Sequence, residues 1–470
     1  MVFVSPIFLF LFLVVTLAVY GLACLTRCKA LKNLSLLGCS LVFYAWGGVK
    51  YALLLMGSTV VNYVFGLLLG REKGRKTVLV ISVIYNVGIL FFFKYLNFFA
   101  DMAEEAAAAL QLGWSMEVPA ITLPIGISFF TFQIMSYIFD VYNRKVEAQK
   151  NIFDLALYIM LFPQLIAGPI VRYIDVNREI KERHTTPEMI HDGIIRFEIG
   201  FCKKIFLANN MGYMADMIFA HTKRLNTPYA WLGAVCYALQ IYMDFSSYSD
   251  MAIGLGRIFG FQFLENFNYP YISKSIKEFW RRWHISLSSW FRDYVYIPLG
   301  GSRKGAARTY RNLLIVFLLT GFWHGANWTF VVWGLFHGAF LVLERGRFGQ
   351  LLDRMPGVVK RIYTLVVVLV GWVFFRSDTL GQALTYIRTM FAFDFSPMYQ
   401  YLITECLDRE FFVMLAASIV GSMPVAQMGK TWRGKMVTGL VMDLGLLVIF
   451  ICAVFYMVGA DFNPFIYFRF

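Results

Sequence analysis

Long apolar runs recur from one end of this 470-residue chain to the other. Six of them carry almost no charge: Ile7–Ala23, Tyr51–Leu69, Thr77–Phe93, Ala230–Tyr242, Leu365–Phe375 and Leu440–Val458. Charged residues make up 15% of the chain, against about a quarter in soluble domains. Because a spanning helix needs about 20 mostly apolar residues, the sequence predicts an all-α polytopic membrane protein with about ten or eleven spans.

The net charge of +14 comes from basic residues that lie mostly in short loops between the apolar runs. This distribution disfavours nucleic-acid binding and suits membrane orientation, because Lys and Arg accumulate in cytoplasmic loops. Five basic loops are predicted to be cytoplasmic: Arg27–Lys32, Arg71–Lys76, Arg144–Lys150, Arg303–Arg311 and Lys430–Lys435. The acidic segment Asp101–Pro119 and both ends of the chain are therefore expected outside. Ile7–Ala23 lacks the features of a cleaved signal peptide and is interpreted as a retained span.

Residues 150 to 300 do not divide into clean spans. Ile152–Ile166 is a short apolar run, interrupted by Pro163 and followed by Gly168-Pro169 and several basic residues. A re-entrant segment would have this form, since irregular backbone is tolerated at membrane depth only where protein or a water-filled cavity surrounds it. An interfacial helix is an equally good interpretation.

Cysteine and histidine spacing predicts no metal site. The seven cysteines are odd in number and lie mostly within apolar runs, so neither a disulfide framework nor a zinc pattern is indicated. No pair of histidines has the spacing of a zinc enzyme either. The sequence predicts no bound metal and no resident cofactor.

The segment Ser273–Arg292 has helical periodicity with two different faces. Its apolar face consists of Ile276, Phe279, Trp280, Trp283, Leu287, Trp290 and Phe291, and the opposite stripe of Lys277, Arg281, His284, Ser288 and Arg292. The pattern predicts one basic amphipathic helix. Such a helix can simply lie among lipid headgroups; alternatively, the stripe binds the phosphates of a cytosolic anionic donor.

An ionisable imidazole stands in the apolar sequence Trp323-His-Gly-Ala-Asn-Trp328. Basic residues end at Arg311 and resume at Arg345, so the chain between them is expected to enter the membrane and return, with His324 at the apex. Each arm would reach roughly 20–25 Å, short of a full span. Polar groups at membrane depth are costly and often functional, so His324 is predicted to be the centre of the chemistry. His337, beside Gly334 and Gly338, is interpreted as a packing or hydrogen-bonding residue.

Two other apolar segments contain polar residues. Asp244 and Tyr248 lie one helical turn apart, and Gln133, Ser136 and Asp140 share a face within Ser128–Tyr142. Intramembrane carboxylates can line a substrate path or orient an imidazole. They serve equally well as hydrogen-bonding groups between helices, and the sequence does not choose.

Several long motifs occur in order along the chain. They are Leu123-Pro-Ile-Gly-Ile-Ser-Phe-Phe-Thr-Phe132, Leu165-Ile-Ala-Gly-Pro169, Asp244-Phe-Ser-Ser-Tyr-Ser-Asp-Met-Ala-Ile-Gly254, Glu265-Asn-Phe-Asn268, Glu278-Phe-Trp-Arg-Arg-Trp-His-Ile-Ser-Leu-Ser288, Arg292-Asp-Tyr294, Ile297-Pro-Leu-Gly-Gly301 and Trp323-His-Gly-Ala-Asn-Trp328. Through them the chain resembles the membrane-bound O-acyltransferases over its whole length. One position departs from the family pattern, where Ser247 stands in place of Gly.

The resemblance implies one transmembrane domain over residues 1–470, with about eleven helices around a central tunnel. Peripheral helices would occupy about 1–118, a catalytic core about 119–345 and C-terminal helices about 346–470. It also implies that His324 is the family's essential histidine and His284 its second signature histidine. The polymer-modifying branch takes an acyl group from a cytosolic donor to an extracytoplasmic polysaccharide or partner transferase, which implies the cytoplasmic membrane of a bacterium.

These observations give a mechanistic hypothesis. Acetyl-CoA binds with its phosphates near Lys277, Arg281 and Arg282, and His324 takes the proton of the acceptor hydroxyl. His284 or a tryptophan N–H stabilises the oxyanion, and an acetyl-histidine intermediate is the alternative. The predicted tunnel and acceptor path involves Asp244, Tyr248, Trp283, Trp323 and Asn327. Two other functions stay open, a transporter or flippase with a histidine proton relay and a non-catalytic scaffold of an exopolysaccharide complex.

Overall fold

The computed structural model describes residues 1–112, 119, 121–166, 168–396, 401–425, 436–459 and 462. Within these ranges every regular element is a helix, which confirms the predicted all-α class. The chain divides into two compact units, Met1–His191 with Leu255–Leu264, and Asp192–Gly254 with Glu265–Phe470. The division into peripheral, catalytic and C-terminal parts stays a prediction.

The first unit is built from helices of very different length. They are α1 (Leu13–Leu25, preceded by the π-helical Ile7–Phe12), α2 (Lys29–Ala45), α3 (Val49–Leu69), α4 (Arg75–Lys94), α5 (Leu96–Ala109), α6 (Ile127–Tyr142), α7 (Ile152–Met160), α8 (Phe162–Leu165) and α9 (Tyr173–Lys181). Phenylalanine rings form much of its core: Phe8, Phe43 and Phe162 are at most 1% exposed, with ring centroids 5.4–6.3 Å apart.

The second unit contains the predicted site residues. Its helices are α10 (Pro187–Cys202, which begins in the first unit), α11 (Asn209–Ala220), α12 (Thr227–Ile258, which ends there), α13 (Ile276–Arg282), α14 (Ile285–Phe291), α15 (Ala306–His324), α16 (Trp328–Leu343), α17 (Arg347–Arg354), α18 (Gly357–Arg376), α19 (Leu380–Met390), α20 (Tyr401–Glu405), α21 (Arg409–Gly421) and α22 (Met436–Gly459). Short π-helical segments, Lys203–Ala208 and Arg292–Tyr296, follow α10 and α14.

Five helices of the described residues are long and apolar enough to cross a membrane. They are Ile7–Leu25, Val49–Leu69, Arg75–Lys94, Gly357–Arg376 and Gly439–Gly459. Each contains one of the six apolar runs, and the sixth, Ala230–Tyr242, lies inside the 32-residue α12. That helix also carries Asp244 and Asp250, which lower its hydropathy. The total of ten or eleven spans stays a prediction, and the basic loop Lys430–Lys435 lies outside the described residues.

The interrupted run Ile152–Ile166 forms two short helices that break at Leu161. An interfacial helix would leave one face uncovered, whereas the ten residues from Leu157 to Ile166 are all buried. This burial favours the re-entrant interpretation.

Candidate functional site

A tight helical hairpin carries the central histidine. His324 is the last residue of α15, Gly325 is extended, and α16 begins at Trp328. The Asn327 side chain caps α16 by accepting the Thr329 N–H at 2.9 Å, and it donates to the Asp378 carbonyl at 2.9 Å. Small residues bring the two arms together, because a side chain at Gly334 would collide with the Phe317 carbonyl. The predicted hairpin with His324 at its turn is therefore confirmed.

His324 lies within a box of aromatic rings and is 7% exposed. Its ring centroid is 4.9 Å from that of Trp323, 5.0 Å from Trp333 and 4.9 Å from Phe375. Trp333 comes from α16 and Phe375 from α18, so three helices hold the imidazole. The imidazole is thus fixed by packing at the turn between α15 and α16.

The predicted single helix over Ser273–Arg292 is wrong. The chain forms two seven-residue helices, α13 and α14, separated by an extended Trp283 and by His284 at φ 44° and ψ 55°. This left-handed conformation costs a β-carbon-bearing residue roughly 1–3 kcal/mol and persists only where surrounding contacts fix it. The turn takes His284 out of the cationic stripe and buries it to 1% exposure.

His284 is held by an amide and by aromatic rings. Its Nδ1 lies 3.1 Å from the Asn266 Oδ1, and its ring centroid lies 4.7 Å from Phe245 and 6.3 Å from Phe267. Burial lowers the pKa of His284 to about 3. The imidazole is therefore neutral at physiological pH.

Trp323 connects the two histidines. Its ring centroid is 6.0 Å from that of His284 and 4.9 Å from that of His324. Trp283 belongs to the adjoining aromatic layer, 4.8 Å from Trp372. Four residues that the sequence assigned to the site, the two histidines and these two tryptophans, thus share one aromatic cluster.

The basic residues of α13 separate into two groups. Lys277 and Arg281 line a cavity of about 380 Å³, whose walls come from α13, α14, the segment Arg292–Tyr296, α15 and Leu341. Arg282 is not part of this lining: it pairs with Glu278 at 2.9 Å and donates to the Asn268 carbonyl at 3.1 Å. Thr320, one helical turn before His324, also lines the cavity. The cavity therefore extends from basic residues towards the hairpin turn.

Buried polar residues of α12 lie close in sequence to a residue that contacts the histidine cluster. Asp244 and Lys204 make an ion pair at 2.9 Å in which both side chains are 1% exposed. Tyr248 is buried one turn further along α12, and Phe245, next to Asp244, contacts His284. Asp244 is thus the neighbour in sequence of a residue that contacts His284, but its carboxylate is paired with Lys204.

Sequence reasoning assigned no role to Asn266, Lys204, Trp333 or Phe375. Asn266 stands in a quoted motif, and its amide next to a buried histidine is a signal that could have been used. Lys204 follows another lysine, and nothing local distinguishes the buried one from the other. Trp333 and Phe375 look like ordinary residues of apolar helices, so only the tertiary structure shows that they surround His324.

His337 packs as predicted, in a space that a glycine provides. It is fully buried, with ring centroids 5.2 Å from Trp280 and 5.3 Å from Trp333. A β-carbon at Gly371 of α18 would lie 2.6 Å from the His337 Nε2. The imidazole would have to shift against Trp280 and Trp333 to make room for it.

We expect Gly371→Ala to lower the stability of the detergent-solubilised protein by about 1–3 kcal/mol, as overpacking of a filled core does. Thermal unfolding of the purified variant measures the effect. Gly88→Ala is the matched control, because nothing lies within 4 Å of the β-carbon at that helical position. Equal melting temperatures for the two variants would contradict the packing account.

This chain is similar to known proteins over most of its length. The family model of the membrane-bound O-acyltransferases matches residues 53–376. The chain is 45% identical to the probable alginate O-acetylase AlgI of Pseudomonas aeruginosa, over 84% of this chain and 75% of the relative. It is 40% identical to the protein of the same name from Pseudomonas putida, over all of both chains. It is 36% identical to the peptidoglycan O-acetyltransferase of Helicobacter pylori, over 83% of this chain and 80% of the relative.

Proposed function

Because the chain belongs to the membrane-bound O-acyltransferase family and is an O-acyltransferase, we propose that it moves an acetyl group from cytosolic acetyl-CoA to a polysaccharide outside the cell membrane. The acceptor is a sugar hydroxyl or a partner transferase that completes the delivery. The relatives support this acceptor class, since their names specify alginate and peptidoglycan. The transporter and scaffold interpretations are set aside, because the family is one of acyltransferases.

The cavity beside α13 supports acetyl-CoA as the donor. Its volume of about 380 Å³ is within the usual range for small-molecule sites. Its basic residues Lys277 and Arg281 suit the phosphates of CoA, while a third, Arg292, is paired with Asp293. Phe317 and Val316 suit the less polar pantetheine arm. In this arrangement the thioester points along α15 towards His324. No resident metal or cofactor is needed for the transfer.

The burial of His324 among Trp323, Trp333 and Phe375 is the observation that carries the proposed chemistry. His324 takes the proton of the acceptor hydroxyl while that oxygen attacks the thioester carbon. The carbon–sulfur bond then breaks, the acetyl group stays on the acceptor oxygen, and the imidazolium returns its proton to the CoA sulfur. An acetyl-histidine intermediate is the alternative route.

The test is acetyl transfer by the purified protein in membranes or detergent. Labelled acetyl-CoA and an alginate oligosaccharide are supplied, and label on the sugar is measured with the wild-type protein and with a preparation lacking it. Transfer that depends on the protein supports the proposal. Acetyl-CoA that stays intact with every hydroxyl acceptor, including a partner transferase from the same cell, would refute it.

The proposed direction of transfer requires a defined topology in the bacterial inner membrane. Ser5 and Cys28 stand at opposite ends of the first candidate span, and Cys28 is followed by basic residues. In a cysteine-free background, we expect Ser5→Cys to react with an impermeant reagent in intact cells. Cys28 alone is expected to react only after lysis. The reverse pattern would show that the topology is inverted.

A further inference from the structure

The hydrogen bonds around Asn266 determine which nitrogen of His284 carries the proton. The Ser286 backbone N–H, which can only donate, points at one side-chain atom of Asn266 at 3.2 Å, and the Ser286 hydroxyl donates to the same atom at 2.9 Å. That atom is therefore the amide oxygen. The His284 Nδ1 lies 3.1 Å from it, and an unprotonated nitrogen there would face an oxygen lone pair. The Ser286 hydroxyl also lies 3.4 Å from Nδ1, but it donates to Oδ1 at the shorter distance of 2.9 Å. Nδ1 therefore donates to Oδ1, so the proton of the neutral ring is on Nδ1.

Asn266 is itself fixed from two sides. Its Nδ2 donates to the Ser249 hydroxyl of α12 at 3.1 Å. The preceding residue, Glu265, forms two hydrogen bonds with Arg196, at 2.6 and 2.9 Å. Arg196 also binds Asp250 of α12, at 2.7 Å from its Nε. The amide therefore cannot easily rotate to offer its nitrogen to the imidazole.

The second nitrogen of His284 then has a lone pair and accepts hydrogen bonds. Nε2 is buried and has no hydrogen-bond partner among the residues that the structure describes. Its ring shares Trp323 with His324, so it belongs to the same cluster as the proposed base. A nitrogen of this kind cannot stabilise an oxyanion, which needs a donor. The sequence-based hypothesis named either His284 or a tryptophan N–H as the group that stabilises the oxyanion. Of these two, the tryptophan N–H is the donor.

We propose that Asn266 is a positioning residue that keeps the His284 Nε2 unprotonated, and that this nitrogen accepts a hydrogen bond from a second hydroxyl of the acceptor, adjacent to the one that His324 deprotonates. The inference rests on the proposed function. A single hydroxyl has one proton and cannot serve both imidazoles. The acceptor class that fits two such nitrogens is a sugar unit with neighbouring free hydroxyls.

The tautomer can be measured without any acceptor. In protein labelled with ¹⁵N-histidine, the difference spectrum between the wild type and His284→Gln isolates one of the six histidines. We expect a protonated Nδ1 and an unprotonated Nε2, whose ¹⁵N shifts are well separated. A protonated Nε2 would overturn the inference even if the protein transfers acetyl groups.

The proposed role of the His284 Nε2 in acceptor binding is tested by changing the protein and the substrate, separately and together. An alginate oligosaccharide is compared with its analogue lacking the hydroxyl next to the acetylated one, in the wild type and in Asn266→Asp. We expect the analogue to lower kcat/KM about tenfold or more in the wild type, and to have little further effect in the variant, while the KM for acetyl-CoA stays unchanged. Additive losses would overturn the inference and leave the acyltransferase function standing.

Asn266→Asp also has a distinctive pH dependence. A carboxylate at this position favours the imidazolium form and raises the pKa of His284 from its wild-type value of about 3. The imidazolium Nε2 is protonated and cannot accept, so transfer by the variant is lost below the new pKa and recovers above it. Of the charged groups on α12, α13 and the segment before α13, Asp244 is paired with Lys204, Asp250 and Glu265 with Arg196, and Glu278 with Arg282, whereas Lys277 and Arg281 face the cavity.

Discussion

His324→Ala should lower acetyl transfer by about 10²–10⁴-fold, the usual contribution of a general acid–base group. The side chain is held between Trp323, Trp333 and Phe375 at the turn between α15 and α16. Alanine removes the proton acceptor and leaves this aromatic box, the Asn327 cap and the glycine contacts between the arms. Expression and membrane insertion should therefore stay near normal. The measurement is label transfer from acetyl-CoA at equal amounts of inserted protein.

His221→Ala is the matched control for this experiment. His221 follows α11, and its Nδ1 lies 2.8 Å from the Met217 carbonyl, so its removal disturbs one local contact. We expect wild-type transfer from this variant. Near-full activity of His324→Ala would eliminate His324 as the base. An acetyl group trapped on His324 in the wild type would instead select the covalent route.

Local patterns predicted the long apolar helices and the hairpin of α15 and α16. Five apolar runs became candidate spans because hydropathy alone decides such helices. The turn at His324 was predictable since Gly325 and Asn327 end one helix and cap the next. In each case the determining residues are close together in the sequence.

The break at His284 was not predictable from periodicity. Apolar residues continue at helical spacing from Ile276 to Phe291, with no Gly or Pro between them. The helix nevertheless ends, because Asn266 binds both His284 and the first residues of α14. The Lys204–Asp244 pair is similar, since its partners lie on different helices and nothing in either local sequence indicates the other. Tertiary contacts override local helix propensity at such positions.

The basic residues beside the cavity give the second large effect. Lys277 and Arg281 are exposed at its lining, and each phosphate contact to a charged side chain contributes roughly 1.5–3 kcal/mol. We expect Lys277→Gln with Arg281→Gln to raise the KM for acetyl-CoA on the order of 100-fold. The kcat at saturating donor should change little, because the lost contacts stabilise the bound ground state and the transition state alike.

High salt and two control variants distinguish donor binding by Lys277 and Arg281 from a non-specific effect of positive charge. At high ionic strength the wild-type KM should rise towards that of the double variant, since exposed charge contacts are screened. Arg303→Gln with Lys304→Gln removes the same charge from a loop outside the cavity lining and should leave KM unchanged. Arg282→Gln should resemble this control rather than the double variant, because Glu278 and the Asn268 carbonyl engage its guanidinium.

If α13 is only an interfacial anchor, neutralising Lys277 and Arg281 lowers the yield of folded protein and leaves KM as it is. That result would remove the donor from this cavity.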